Sequence, residues 1–540
     1  MQTPIFPMRW VPLPVAGLFL LATSAFAGTC PPGANYINPA NPGGAKVTLA
    51  SMGITVCYYV ANSGSNSATG ADESHSWAYA PGMTGCTLVC ASTAAGTYDT
   101  WGSQGSQVGI ILRGGDTWTD QQMDYVWFGP SASYPNYVGV DPAWYSGSSW
   151  ARPIFNDNAT GDLEFEIEGD NVIFDNIEFT GLYFSNPSSP VHYIDMRTTA
   201  ASTIQNCYFH GWTHGGTTDN CMLIYSNSTT GGNLVFNVFD GSDTTSGGNS
   251  CYAVYGGSGQ QVAYNYVTNM PNGFVGYIQS LHDNVVNNLP LSFDSSQHQN
   301  QFENNTSPSP VYVYNNILRH GYTAGSNVTL WDAPNGAVDY IFNNVLYDTT
   351  TGNILDFAQP LSGSQGTVVF FSNTVECGPD SDPDITCASN NPAPSTWRDN
   401  HFIGPSATGS AKTYVVGSGG LVSETYDIAQ TKATANGQGY TMSNGFAPTA
   451  SNNSTVGAGT NLTSTCTAIG SSTTLATAAQ AACKESTTLA CAYSTSNHTV
   501  SCPALAAVSR PSSGAWDVGA YQYAAGSSVS PPSSLTATVQ

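Results

Sequence analysis

Tyr314-Asn315-Asn316-Ile317-Leu318 is followed 28 residues later by Phe342-Asn343-Asn344-Val345-Leu346, the same apolar–Asn–apolar phrase with every side chain kept in kind. The phrase also returns on either side. Phe174-Asp175-Asn176, Ile204-Gln205-Asn206, Val235-Phe236-Asn237, Ala263-Tyr264-Asn265 and Val286-Asn287-Asn288 precede it; Phe371-Ser372-Asn373 and Arg398-Asp399-Asn400 follow. From Asn176 to Asn400 the intervals are 30, 31, 28, 23, 28, 28, 29 and 27 residues. Apolar residues usually come next, as Ile177 and Phe179 do, or Cys207 and Phe209. These runs are too short for helices, are rich in Val, Ile, Tyr and Phe, and are bounded by Gly, Asn, Asp or Ser, which reads as strands. The period is too long for a hairpin and lacks the crossover helix that a βαβ unit needs. Propeller blades would take about 40–50 residues each. A coil of strands fits, because each turn buries its inward side chains against its neighbours, with turns stacked about 4.8 Å apart. Asn suits a repeated corner twice over. It tolerates the left-handed backbone, and its amide donates on one side and accepts on the other, so successive Asn residues predict a ladder. The reading is an all-β parallel β-helix over residues 106–410.

The N-terminus reads as an export signal. One cation, Arg9, precedes an apolar run from Val15 to Phe26, and Ala25-Phe26-Ala27 has the small–x–small form of a cleavage site, so residues 1–27 read as a signal peptide and the mature chain as starting near Gly28. The run is too short for a membrane span. The chain carries 11 Lys+Arg against 35 Asp+Glu, a formal charge of −24. That sign disfavours nucleic acid and anionic membranes as partners, and it repels polyanions unless a cation intervenes. Only 9% of residues are charged, so the surface is made of Ser, Thr, Asn, Gly and Tyr. Such a surface suits a secreted protein, extracellular or periplasmic, that meets neutral hydroxyl-rich ligands such as a polysaccharide, and equally a passive surface protein. The oligomeric state is left open.

Thirteen cysteines in an exported chain read as disulfides plus one thiol. Cys86 and Cys90 have no second pair or His cluster at zinc-ligand spacing. Cys221 and Cys251 begin equivalent strands one period apart, which predicts a disulfide between neighbouring turns. Cys377 and Cys387 read as a loop closure, and Cys207 as the odd thiol.

Other segments resemble a known family. Cys57-Tyr58-Tyr59-Val60, followed by Ser63-Gly64-Ser65-Asn66 and Ser76-Trp77-Ala78, resembles the opening of secreted right-handed parallel β-helix proteins of the pectate-lyase-like superfamily. Ile110-Ile111-Leu112-Arg113-Gly114-Gly115-Asp116-Thr117-Trp118 is similar to their first full turn. Arg510-Pro511 and Trp516-Asp517-Val518-Gly519-Ala520-Tyr521 resemble the segment that closes their coil. The resemblance spans residues 57–523. It implies right-handed coiling, a first strand and N-terminal cap within 28–105, and frequent action on polysaccharides. It fixes no activity, since the fold carries lyases, hydrolases, esterases, epimerases and inert adhesins. Residues 411–523 are Ser/Thr-rich and read as a decorated C-terminal insertion with the closing turn, holding one short helix near Ala476–Lys484; residues 524–540 read as a Ser/Pro linker tail.

The strand half a turn after each Asn carries the candidate chemistry. It reads Tyr193-Ile194-Asp195-Met196-Arg197, Met222-Leu223-Ile224-Tyr225, Tyr252-Ala253-Val254-Tyr255 and Gly276-Tyr277-Ile278-Gln279, then Gln301-Phe302-Glu303, Leu330-Trp331-Asp332 and Leu355-Asp356-Phe357. Glu303, Asp332 and Asp356 are candidate catalytic carboxylates on three consecutive turns. Neighbouring turns would separate them by about 5 Å and alternate turns by about 10 Å, separations that bracket the two geometries of glycoside hydrolysis. Trp331, Phe357 and Phe302 are candidate sugar-stacking rings. No metal site is assigned, and Ca²⁺ held by the same carboxylate oxygens is the alternative. A second column, three or four residues after the Asn, holds His210, Asp240, Arg319, His320, Asp348 and Glu376. Arg319 and His320 are taken as the edge of the site, as base or positioning groups. His210 and His214 near Asp219 are a weaker metal reading.

No Lys occurs between Lys46 and Lys412, and the coil's cations are Arg113, Arg152, Arg197, Arg319 and Arg398. A uronate lyase using Lys as base is therefore excluded within the coil; one using Arg or His is not. The leading reading is an extracellular carbohydrate-active protein hydrolysing a neutral or weakly charged polysaccharide. A non-catalytic surface or adhesion module and a Ca²⁺-dependent polysaccharide lyase are the alternatives.

Overall fold

The computed structural model describes residues 28–93, 107–158, 165–184, 192–196, 201–214, 221–226, 231–244, 251–287, 300–304, 310–319, 326–330, 338–347, 353–356, 366–376, 388–389, 395–404, 421–486, 491–502 and 508–524. Strands of mostly three to five residues pair in parallel into three long sheets, here called A (14 strands), B (12) and C (10) in the order the chain visits them. One turn serves as the pattern. Tyr312–Tyr314 lies in sheet A, Ile317–Arg319 in sheet B and Ser326–Leu330 in sheet C, and the next turn returns to sheet A with Val338–Phe342, paired on Tyr312–Tyr314. This is the parallel β-helix that the Asn periodicity predicts.

Alternation along each strand sends one set of side chains inward. In sheet A the inward column includes Ile204, Leu234, Val262, Leu281, Val313, Ile341, Phe370 and Trp397, all fully buried. In sheet B, Phe155, Phe179, Phe209 and Phe239 stack ring on ring at 5.9, 5.0 and 4.9 Å.

The corner between sheets A and B takes only two residues, and they divide the two tasks expected of Asn. The first adopts the left-handed backbone: Asn176, Asn206, Phe236, Tyr264, Asp283, Asn315, Asn343, Ser372, Asp399 and Tyr426 all have positive φ. The second is the ladder. Backbone and side-chain amides of Asn237 donate to Oδ1 of Asn265, and the same pair of bonds links Asn265 to Asn284, then Asn316, Asn344, Asn373 and Asn400 in turn. Asp427 ends it, accepting from Asn400. Three anchors need correction. Asn176 and Asn206 occupy the left-handed position, so the ladder starts at Asn237. The anchor read as Asn288, which falls outside the described residues, is Asn284. The turn from Asn265 is therefore 19 residues long and the next 32.

Cys221 and Cys251 are joined between neighbouring strands of sheet C, as their spacing predicts. Cys30–Cys57, Cys86–Cys90, Cys466–Cys483 and Cys491–Cys502 are also bonded, and Cys207 is free and buried. Cys377 and Cys387 lie outside the described residues. Five disulfides suit an oxidising compartment, and no described helix is long and apolar enough to cross a membrane.

The flanking segments decide which faces of the coil stay open. Tyr36, Leu49, Met52 and Ile54 lie on the outer face of sheet A, against Ile111, Tyr137 and Ile173. Trp77, Ala80 and Met83 join the core beside Trp118 and Met123, closing the first turn. At the other end the coil runs through Leu421–Thr425 in sheet A and Ile428–Thr431 in sheet B. The chain then folds back. Helices Thr463–Ile469 and Thr474–Cys483 cover Tyr312, Tyr314, Phe342 and Phe371 of sheet A, while Tyr440, Phe446 and Cys491 cover Tyr266, Ile317, Val345 and Tyr347 of sheet B. Trp516 and Tyr521, expected to close the coil, belong to these two covers and lie on its outside. Arg510 sits under the Trp516 ring at 5.2 Å. Among the described residues, no element outside the coil packs on the outer face of sheet C.

Candidate functional site

Register places a single outward column along that open face. It runs Asp124, Glu166, Asp195, Tyr225, Tyr255, one residue from each of five successive strands. It continues through Val275, Glu303, Thr329 and Asp356. The neighbouring inward column is Ile194, Ile224, Val254, Phe274, Phe302 and Val328. One step along the strand therefore separates core from face.

The middle of the face is aromatic. His192 stacks on Tyr225 with ring centroids 4.8 Å apart and planes 14° apart, and its Nδ1 lies 3.0 Å from the Met222 carbonyl. Tyr225 meets Tyr255 at 5.7 Å, and Tyr255 meets Tyr277 at 6.3 Å. Four consecutive turns thus present rings, the three tyrosines half-buried. Carboxylates flank them at both ends. At the N-terminal end, carboxylate oxygens of Asp124, Glu166 and Glu168 lie within 4.8 Å of one another, hard oxygen ligands of the kind Ca²⁺ takes. At the C-terminal end, Glu303 is half-buried and accepts a hydrogen bond from the Asn300 amide.

Of the residues singled out from sequence, the structure brings Glu303 and the strand position of Asp356 into one register, with Thr329 between them. Asp332, His320, Trp331 and Phe357 lie outside the described residues. Two assignments are corrected. Phe302 is fully buried between Phe274 and Val328 and packs the core, so it cannot stack on a sugar. Arg319 does not edge this face. It projects from sheet B, where its guanidinium donates to Asn287 Oδ1 at 2.9 Å and the Tyr347 hydroxyl at 3.0 Å, 8% exposed and beside the C-terminal cover.

Of the rest of the second column, His210, Asp240 and Glu376 also lie along sheet B beside that cover, while His320 and Asp348 lie outside the described residues. Lys432 pairs with Glu376 at 3.1 Å. His210 is held between Asp243 (2.7 Å from Nδ1) and Glu178 (3.1 Å from Nε2). With both ring nitrogens engaged, it has no lone pair for a metal shared with His214. Burial pushes its pKa down, but hydrogen bonds and charge from the two carboxylates outweigh burial and hold it up at about 9. Its ring stacks on Tyr208 at 4.2 Å, and Tyr208 stacks on His498 at 4.1 Å. His498 belongs to the hairpin Ala492–Ser494/Thr499–Ser501, whose Tyr493 hydroxyl donates to Asp240 at 2.9 Å.

The tyrosines and His192 were within reach of the sequence. Tyr225 and Tyr255 end equivalent strands, and their column is the one that carries Glu303. Nothing in the linear order, however, says which of the three faces the described elements leave uncovered.

No family model and no curated protein matches this chain. Similar solved structures include pectate lyase Pel9A (15% identity, TM-score 0.45, covering 87% of this chain and 98% of that one). A PL6 family polysaccharide lyase from Pseudopedobacter saltans is similar at 10% identity and TM-score 0.36, covering 63% and 92%. A GH136 lacto-N-biosidase from Eubacterium ramulus follows at 12% and 0.32, covering 69% and 67%. By its own three stacked sheets the chain is a parallel β-helix. Likeness at these values says nothing of its activity.

Proposed function

We propose that the open face of sheet C binds a polysaccharide laid along the coil axis, and that Glu303 and Asp356 hydrolyse it. The carrying observation is the run of half-buried Tyr225, Tyr255 and Tyr277, with the buried His192 stacked on the first, on a face that no described element outside the coil covers. Ring stacking along a groove grips a sugar by its apolar face, while carboxylates hydrogen-bond its hydroxyls. Two turns of stacking separate the strand positions of Glu303 and Asp356 by about 10 Å, close to the span of inverting enzymes, which leave room for a water between acid and base. The Asn300 amide donates to Glu303, a contact that suits the ionised group and hence the base; Asp356 takes the role of acid. Were Ca²⁺ to take part, as in a lyase, Asp124, Glu166 and Glu168 would hold it.

A polysaccharide panel tests this. Release of reducing ends, lost by at least about a hundredfold in Glu303→Gln and Asp356→Asn with binding retained, is expected. Binding without turnover would make the protein a glycan-binding module. Absorbance of an unsaturated product, abolished by a chelator, would make it a Ca²⁺-dependent lyase.

A further inference from the structure

The charge on the open face selects among glycans. None of the ten strands of sheet C contains Lys or Arg, yet its column offers Asp124 and Glu166 before the tyrosines and Glu303 after them, with Asp195 of the same column buried. Three described cations of the coil are engaged elsewhere, and Arg398 lies on sheet A. Arg113 pairs with Asp116 at 2.7 Å, Arg152 donates to the carbonyls of Asn206 and Asn497, and Arg319 is held on sheet B. A polyuronate laid on this face would meet carboxylate against carboxylate, with no cation among the described residues of the face to compensate; Arg197, next after the strand Ile194–Met196, lies outside them. An ammonium group would meet the opposite: charge-assisted hydrogen bonds from carboxylates and the electron-rich faces of the tyrosines. The whole chain, at −24, adds long-range attraction of the same sign.

We infer that the glycan bound along sheet C carries free amino groups: a polymer containing de-N-acetylated hexosamine, taken in preference to its neutral or uronate counterparts. The inference rests on the reading of sheet C as the binding face. It adds that the aromatic run grips the sugar rings and the flanking carboxylates choose their charge.

Calorimetry on the whole protein would compare three probes: a glucosamine-rich polymer, its N-acetylated oligomer and a uronate polymer with and without Ca²⁺. The glucosamine-rich polymer should bind roughly tenfold or more tighter than the acetylated oligomer, and the advantage should shrink when salt rises from about 0.05 to about 0.5 M. Glu166→Gln should reduce that advantage several-fold, weakening the glucosamine-rich polymer more than the acetylated oligomer, whereas Tyr255→Ala should weaken both alike. Equal affinity for acetylated and free-amine glycans, without salt dependence, would overturn the charge selection and leave the binding face standing. So would preferential uronate binding that needs Ca²⁺. If no probe binds, or if binding is indifferent to Tyr255→Ala, the binding face itself is wrong.

Discussion

Two columns of side chains run along the coil axis at one residue per turn, one at the corner between sheets A and B, the other on the outer face of sheet C. At the corner the residue hardly changes: Asn237, Asn265, Asn284, Asn316, Asn344, Asn373 and Asn400, each buried and each bonded to the next. On sheet C it changes almost every turn, from acid to tyrosine to valine to acid. The corner presents the same backbone donors and acceptors at every level, and a buried polar group must be satisfied each time, so one residue type recurs. The outer face has no backbone demand to meet, and its composition is free to follow a ligand. In a coil, repetition marks the scaffold and departure from it marks the site.

The sharpest way to break this contrast is at the ladder. Asn316→Ala removes the acceptor for the backbone and side-chain amides of Asn284 and the donor to the Leu281 and Tyr314 carbonyls. Leaving two or more buried groups unsatisfied should lower stability by about 3–5 kcal/mol, read from the urea midpoint. A loss below about 1 kcal/mol would mean that the ladder is ornamental. Next, Cys221→Ser with Cys251→Ser opens a crosslink between neighbouring strands of sheet C, 30 residues apart. It should cost about 2–4 kcal/mol while glycan affinity survives; lost affinity at retained fold would show that the disulfide shapes the site.

A third test addresses the covered face. His210 has a folded pKa of about 9 against an ordinary value of 6.5. Since the folded value is raised, its ion pairs contribute fully below about pH 6.5 and fade as pH rises through 9. His210→Gln should therefore be less stable than the parent at pH 6, on the order of 2 kcal/mol after allowance for partial exposure. The two thermal midpoints should converge by about pH 10. A gap that does not change with pH would mean that the histidine acts by packing alone. The smallest effect belongs to the variable column. Tyr255→Ala should weaken glycan binding about tenfold, near 1.4 kcal/mol, with the urea midpoint almost unmoved. A stability loss rivalling that of Asn316→Ala would place Tyr255 with the scaffold.

The ladder was legible in sequence because a stacked coil repeats one local environment, and the recurring Asn reports it directly. The slips at Asn176 and Asn206 have a common cause. Corner and ladder positions are adjacent, both accept Asn, and periodicity does not separate them; only φ and hydrogen-bond partners do. The candidate site was legible in part. Glu303 and Asp356 lie in the strand expected to carry chemistry, but Phe302 faces inward, since one residue of parity turns a side chain from face to core. Arg319 lies one turn after Glu303 and projects from a different sheet.

By itself, then, the sequence determined the coil, its period, the Asn corner and the bond between Cys221 and Cys251, because each follows from neighbours one turn apart repeating the same contacts. Which face meets a ligand was decided only in three dimensions. Residues 432–524 fold back across dozens to hundreds of intervening positions to bury the outer sides of sheets A and B. Contacts of that range leave no period in the chain. Sheet C is proposed as the binding face because no described element outside the coil covers it.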